Sequence, residues 1–201
     1  VSALLRTSYV GGNNDFYLNI KNVNPIYNLC SEITANKNRP LKIRMDGDLD
    51  SDFGSDSNNL DVFLNGNADS GFLSNSKYSK AFINGNLGLA ALYCSEDISI
   101  FVKGNVGEEF ALDSKGAKAL IKGNVGCKFG FSSNELKAYI KGNVSYKFGY
   151  GSNHLCAIVK GNVTTNFAKY ASDSVILQGK NIGNDPKYPQ LIKKLMEAYR
   201  Q

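Results

Sequence analysis

Four lysines recur at intervals of 19 residues and form the most regular set of chemically active side chains in this sequence. They are Lys103, Lys122, Lys141 and Lys160. If each interval is one layer of a stacked fold, the ammonium groups lie ~4.8 Å apart in a single row. Such a row can be a solvated surface that discourages edge pairing, or it can dock an anionic cofactor, an anionic substrate or an acidic partner. The sequence alone leaves both interpretations open.

A run of alternating aspartates suggests a second chemistry, cation binding. The run comprises Asp46, Asp48, Asp50 and Asp52. Calcium-binding loops use aspartate at such spacings, but here the glycine stands in the wrong place and no closing glutamate follows. We therefore interpret the run as the polar first coil of a repeat and predict no metal site.

The cysteines and the histidine give little reason to expect catalysis by this chain alone. Cys30, Cys94, Cys127 and Cys156 form no CxxC pair, so we predict free thiols in a cytoplasmic protein rather than a zinc site. The single histidine, His154, leaves little scope for imidazole chemistry. We therefore assign no catalytic, cofactor-binding or metal-binding residue.

Composition and charge argue against two further classes of partner. No apolar run approaches the ~18 residues that span a bilayer, so no membrane association is predicted. The net charge of +5 is mild, and few exposed aromatic residues are expected, so nucleic-acid binding is not predicted. The charge is uneven, however, because residues 103–160 hold nine lysines against four acidic residues.

A repeated glycine indicates which elements position the lysines. Apolar residues stand two before, two after and six after each of these glycines, as Ile121, Val125 and Phe129 do around Gly123. Such positions predict a strand, a turn and a second short strand in each unit. A unit this short buries its apolar face only by stacking on its neighbours. The glycines are Gly47, Gly66, Gly85, Gly104, Gly123, Gly142 and Gly161, with Gly179 following after 18 residues.

We therefore predict an all-β solenoid, a single-stranded β-helix of about seven 19-residue coils with ladders of Val, Ile and Phe inside. Hexapeptide β-helices need a repeat that is a multiple of six, and leucine-rich repeats need a consensus that is absent. We interpret the asparagines that follow six of the glycines as a buried ladder of stacked amides. These are Asn67, Asn86, Asn105, Asn124, Asn143 and Asn162.

Both ends of the chain depart from the repeat. Residues 16–23 alternate like a strand, and Asn24 with Pro25 marks the start of a predicted helix over 24–37. Asp185 and Pro186 open a second predicted helix. We therefore divide the chain into an N-terminal strand and helix cap (1–40), the β-helix (41–183) and a C-terminal helix (184–201). The apolar face of the last helix carries Leu191, Ile192, Leu195, Met196 and Tyr199.

An apolar stripe is predicted three residues before each glycine. Because the columns on either side of it point inward, this column points outward. Its length over six coils is ~24–29 Å, and the C-terminal helix would span ~21 Å. The stripe could be covered by that helix, by a partner protein or by a sister subunit. The interface candidates are Phe63, Phe82, Phe101, Leu120, Tyr139 and Ile158.

The glycine pattern resembles one known family. The phrase G-N-V-G-x-x-F-G at 123–130, followed eleven residues later by the next K-G-N-V, is similar to the C-terminal β-helix (GXGXG) domain of the glutamate synthase large subunit. The same domain forms one of the subunits of formylmethanofuran dehydrogenase. Gly123, Gly126 and Gly130 match three family glycines, and "LCSEIT" (29–34) with "LKIRMDGDLDSDFGS" (41–55) resembles the domain's entry. The resemblance covers about residues 20–183.

This resemblance implies a right-handed β-helix and a scaffold role. It predicts a non-catalytic subunit that assembles with an amidotransferase or with a flavin or other redox subunit, as part of a glutamate synthase-type oxidoreductase in nitrogen metabolism. A homo-oligomer is the other expected assembly. The alternative function is a β-helix binding module or enzyme that acts on an anionic small molecule or polysaccharide. The chain alone is not expected to catalyse a reaction.

Overall fold

The computed structural model describes residues 1–23 and 25–178. Within these ranges helix α1 spans Ser2–Val10, and nine parallel strands form one sheet in which each strand pairs with the next in the chain. The strands are β1 (Asp15–Asn19), β2 (Leu41–Asp46), β3 (Leu60–Asn65), β4 (Lys80–Ile83), β5 (Ser99–Val102), β6 (Lys118–Ile121), β7 (Lys137–Ile140), β8 (Cys156–Val159) and β9 (Val175–Gln178).

The pairing register reproduces the spacing found in the sequence. From β2 to β9 each strand residue pairs with the residue 19 positions later, as Leu41 does with Leu60 and Cys156 with Val175. Parallel strands in consecutive order at a constant interval are the coils of a solenoid. The predicted β-solenoid with a 19-residue repeat is therefore confirmed.

Each coil contains one strand and two single-residue β-bridges. One ladder of bridges follows the glycine corner, as between Val106 and Val125, and the other precedes the next strand, as between Lys115 and Asn134. The second short strand predicted from the sequence is thus reduced to one bridged residue. The tight turn between the two ladders explains this, because it alternates left-handed residues such as Lys128 (φ 58°) with right-handed ones, which ends a strand.

The three apolar columns line the interior as predicted. Ile121 and Phe129 are fully buried, and Val125 is nearly so. The Phe129 ring stacks on Phe110 at 4.8 Å and on Phe148 at 5.0 Å between centroids. The ladders of Val, Ile and Phe are therefore confirmed, and they make the core continuous from coil to coil.

A column of buried serines, which the apolar pattern does not indicate, also lines the interior. The Ser133 hydroxyl donates to the Gly130 carbonyl oxygen at 2.8 Å, and Ser152 donates to that of Gly149 at 2.7 Å. A buried hydroxyl without such a partner would destabilise the fold. From Ser95 onward these bonds close the tight turn within the coil, whereas Ser57 and Ser76 donate to Cys30 O and Gly54 O of the preceding coil at 2.7 and 2.6 Å. The column comprises Ser57, Ser76, Ser95, Ser114, Ser133 and Ser152.

The asparagine column is exposed, so its predicted burial is wrong. Because the residue two after each glycine points inward, the residue one after it points outward. The asparagines still form a ladder: the Oδ1 of Asn105 accepts the backbone N–H of Asn124 at 2.8 Å, and that of Asn124 accepts Asn143 N–H at 2.8 Å. Each side chain thus satisfies a corner amide of the next coil.

The predicted helix over 24–37 is wrong. Asn28, Cys30 and Glu32 have φ values of 53°, 63° and 58°, and alternate left-handed residues exclude an α-helix. The segment instead bonds to the following coil, since Glu32 N–H donates to Ser55 O and Gly54 N–H donates to Leu29 O, each at 2.8 Å. It is therefore the turn region of an extra first coil that begins at β1, the strand predicted from residues 16–23.

Helix α1, rather than residues 24–37, packs against the first coil. Its buried residues are Leu5 and Tyr9, which join the hydrophobic core. The Tyr9 hydroxyl donates to Arg39 O at 2.7 Å and accepts Asn36 N–H at 2.6 Å. The Arg39 guanidinium lies 4.4 Å from the Tyr9 ring centroid, a cation–π distance. The C-terminal helix predicted over 184–201 lies outside the described residues.

The contact between β1 and β2 makes a pH-dependent prediction. The Tyr17 hydroxyl donates to Asp46 Oδ2 at 2.9 Å, which lowers the pKa of that carboxyl. With a lowered folded-state pKa, the bond stabilises the fold above the unfolded-state pKa and is lost as pH falls through the folded-state value. We expect Tyr17→Phe to lower the melting temperature slightly at about pH 7 and not at about pH 2. Equal melting-temperature differences at both pH values would contradict this.

Candidate docking face

The outward side chains of β3 to β8 form three parallel columns on one side of the solenoid, which we call the sheet face. The columns stand five, three and one residues before the corner glycine, because alternate strand residues point outward. The middle column is the predicted apolar stripe, and the last contains the predicted lysine row. The sheet face therefore brings both sets of sequence-predicted residues side by side.

The aromatic part of the stripe is a continuous stack. Phe63 and Phe82 lie 5.0 Å apart between ring centroids with 8° between planes, and Phe82 and Phe101 lie 4.8 Å apart with 11°. Phe63 is 43% exposed, and the other two rings are half-buried. Because neighbouring rings cover each other's facing surfaces, the stack presents mainly ring edges outward.

The remainder of the stripe is less accessible than the phenylalanine stack. Leu120 and Ile158 are 5% and 0% exposed, although both stand outside the contiguous core. Tyr139 is half-buried, and burial raises the pKa of its hydroxyl. The part of the stripe that a partner can reach is therefore the phenylalanine stack together with the Tyr139 edge.

The predicted lysine row borders this stripe. Lys103, Lys122 and Lys141 are exposed, and Lys160 is half-exposed. The Lys103 Nζ lies 5.5 Å from the Phe82 ring centroid, and the Lys122 Nζ lies 5.4 Å from that of Phe101. Cation–π attraction thus leans each ammonium group toward the ring of the preceding coil. Among the described residues none of the four lysines forms an ion pair.

A second lysine column borders the other side of the stripe, and the sequence analysis missed it. Lys80, Lys118 and Lys137 stand five residues before the corner glycine of their coils. In the same column Asp61 pairs in register with Lys80, and burial raises the pKa of its carboxyl against the effect of the lysines. The signal was present in the sequence, since the same alignment on glycine that revealed the first lysine row also aligns this one.

The aspartate run makes structural hydrogen bonds in the first coils. Asp48 Oδ1 accepts the Asn67 backbone N–H at 2.7 Å and so starts the asparagine ladder. Asp50 Oδ2 accepts the Ile26 N–H at 2.5 Å and holds the first coil against the second. These contacts give the run a structural role, although the extra coil that begins at β1 places it in the second coil and not in the first as predicted.

Neither a metal centre nor a membrane helix stands out in the described part of the chain. Within residues 1–23 and 25–178 no three His, Cys, Asp or Glu side chains are arranged to hold a metal ion. In the same ranges no helix has the length and apolarity needed to cross a bilayer. His154 is exposed at a turn position with a φ of 53°.

The cysteines differ strongly in accessibility, which gives a direct prediction. Cys30 is fully buried, and burial raises its pKa to about 12, whereas Cys94 is exposed. Since the thiolate is the reactive form, we expect a thiol-specific reagent to label Cys94 in the native protein and Cys30 only after unfolding. Peptide mapping after timed labelling measures both rates. Equal labelling of the two thiols under native conditions would show that the first coil is not closed.

Comparison of the chain with protein-family models, with curated proteins and with solved structures finds no match. The resemblance to the glutamate synthase β-helix domain therefore stays a prediction that depends on the glycine pattern.

Proposed function

We propose that this protein is a non-catalytic β-helix scaffold whose sheet face docks a partner protein, an amidotransferase or a flavin or other redox subunit. The observation that carries the proposal is an accessible aromatic stack with Lys103 and Lys122 against one side of it and Lys80 on the other. Apolar surface with charged borders is the anatomy of a protein interface. The resemblance in the glycine pattern supplies the class of partner.

The dimensions of the sheet face fit an amphipathic helix of the partner. The two lysine columns are four residues apart along each strand, or ~13 Å at ~3.3 Å per residue. An α-helix with its side chains is ~10–12 Å across. A helix lying along the stripe would place apolar residues on Phe82 and Phe101 and acidic residues beside the lysines of each border. The matching partner segment therefore has an apolar face with acidic flanks.

The stacking of the phenylalanines favours a protein over a polysaccharide at this face. Aromatic rings offer their electron-rich faces to cations and to apolar groups, and flat binding of a sugar ring needs such a face to be free. In the Phe63, Phe82 and Phe101 stack the faces lie against one another. The outward ring edges instead suit apolar side chains packing between the coils.

Charge reversal on the sheet face tests the proposal. The variant is Lys122→Glu with Lys141→Glu, and the matched control is Lys37→Glu with Lys115→Glu, which makes the same change in net charge at exposed sites away from the sheet face. Each tagged chain is expressed in the source cells, and co-purifying proteins are identified by mass spectrometry. We expect an amidotransferase or redox subunit with the native and control chains and its loss with the sheet-face variant. A partner kept by that variant, or a native chain without one, would overturn the proposal.

A further inference from the structure

Charge is segregated along a second surface, formed by the tight turns of successive coils, which we call the turn face. In the first four coils from β2 onward, the turn segments hold seven carboxylates and no lysine or arginine. In the next three coils they hold three lysines and no carboxylate. The first four segments are 50–56, 69–75, 88–94 and 107–113, and the next three are 126–132, 145–151 and 164–170.

The charges at both ends of the turn face reach solvent. At the acidic end Asp56 is exposed and Asp52 is half-exposed, and the neighbouring Glu32 of the first coil is exposed and pairs with Arg6 at 3.7 Å. At the basic end Lys169 is exposed and Lys147 is half-exposed. The turn face is therefore acidic toward the N-terminal coils and basic toward the C-terminal coils.

The middle of the turn face exposes apolar side chains. Leu89 is 48% exposed and Tyr93 is 40% exposed, and Leu112 of the next coil is half-buried beside them. Of the three carboxylates in segment 107–113, Glu109 pairs with Lys128 at 2.7 Å, and Glu108 and Asp113 are exposed. Exposed apolar residues between an acidic and a basic flank have the layout of an interface core with a charged rim.

We propose that two copies of this chain pair through their turn faces, side by side and antiparallel. A surface with opposite charges at its two ends complements itself when one copy is rotated by a two-fold axis. The coils of Asp56 and Lys147 are five steps apart, or ~24 Å at ~4.8 Å per coil. An axis midway between them passes the coils of Leu89 and Leu112. That rotation places Asp52 and Asp56 of each copy opposite Lys147 of the other and joins the apolar centres.

Two alternative occupants fit the turn face less well. An acidic polysaccharide would meet lysines in the last three coils and carboxylates in the first four, so half of the turn face would repel it. A basic partner would be repelled by the lysines of the last three coils. An occupant with basic groups opposite the acidic end and acidic groups opposite the basic end complements both ends, and a second copy related by the two-fold axis has this order. The sheet face stays free in such a dimer, so this inference and the proposed function fail independently.

A pair of opposite charge-swap variants tests the inference. The first is Lys147→Glu with Lys169→Glu, which makes the whole turn face acidic. The second is Asp52→Lys with Asp56→Lys, which makes its ends basic. The column that contains Asp52 carries lysine at Lys128 and Lys147 with the same left-handed backbone, so the fold accepts lysine there. The sheet-face variant Lys122→Glu with Lys141→Glu is the control.

Sedimentation velocity of the purified chain at about 100 μM measures the assembly. We expect a dimer that weakens as salt rises from about 50 to about 500 mM, and that weakens about tenfold or more in either turn-face variant but not in the control. Mixing the two turn-face variants is expected to restore a heterodimer, because both ends then become complementary. A monomeric native chain, a dimer unaffected by the variants, or variants that fail to pair with each other would each overturn the inference. Binding of polygalacturonate by a monomeric native chain, lost in Lys147→Glu with Lys169→Glu, would assign the lysines to an acidic polysaccharide instead.

Discussion

Replacement of Phe129 by alanine is expected to lower the free energy of unfolding by about 3–5 kcal/mol. The ring is fully buried and stacks on Phe110 and on Phe148, so truncation leaves a cavity and removes two aromatic contacts. Neighbouring coils cannot close the gap, since their spacing is fixed by the strand pairing on either side. Urea denaturation followed by circular dichroism measures the loss.

Phe131→Ala is the matched control for this core prediction. Phe131 lies two residues further on, points outward, is half-buried and stacks on Tyr150 at 5.2 Å. Removal of a ring at the surface leaves no internal cavity, so a loss of about 1 kcal/mol is expected. If both substitutions cost the same, the phenylalanine column is not the interior of the solenoid.

Replacement of Gly104 by alanine is expected to cost about 3 kcal/mol. A Cβ there would lie 2.5 Å from the Gly85 carbonyl oxygen, and that oxygen already accepts the Gly104 N–H at 2.9 Å. The obstacle is therefore backbone of the preceding coil, which can move only if the coils separate. Thermal and urea denaturation of the variant measure the cost.

Gly11→Ala is the control for the corner prediction. Gly11 has a φ of −69°, and its Cβ would meet no atom closer than 3.4 Å. We expect a change within about 0.5 kcal/mol at this position. A corner substitution as mild as Gly11→Ala would mean that the glycine column is not required by the approach of the coils.

The repeated part of the fold could be predicted because the same pattern of glycine and apolar residues recurs in every coil. Each column samples one structural position several times, so occasional exceptions such as Ala91 in the phenylalanine column do not hide the pattern. The 19-residue register and the three buried columns follow directly from it. The lysine row beside the stripe could be predicted for the same reason, since it recurs at the same interval.

The turn regions and the N-terminal end could not be predicted in the same way. The turns depend on left-handed backbone at residues such as Lys128 and Glu135. A left-handed conformation cannot be predicted from residue type when the residue is not glycine. Asn24 and Pro25 satisfied the local rules for a helix start, but bonding to the next coil decided the conformation of that segment. Helix α1 buries only Leu5 and Tyr9, too short a pattern to indicate a helix.

The sequence predicts two separate rows for the candidate site, and the structure adds how exposed each side chain is. Leu120 and Ile158 belong to the stripe by sequence but are buried, and residue type alone cannot distinguish them from the exposed Phe63. The lysine column at Lys80, Lys118 and Lys137 was visible in the sequence but had no meaning until the strand register placed it across the stripe from Lys122.

Lysine footprinting of the complex tests the central claim, that the sheet face docks the partner. The complex and the free chain are acetylated under identical conditions, and the modification of each lysine is measured by mass spectrometry. We predict that Lys103, Lys122 and Lys141 are protected in the complex while Lys37 and Lys115 react as in the free chain. Unchanged reactivity of the three sheet-face lysines in the assembled complex would contradict this account.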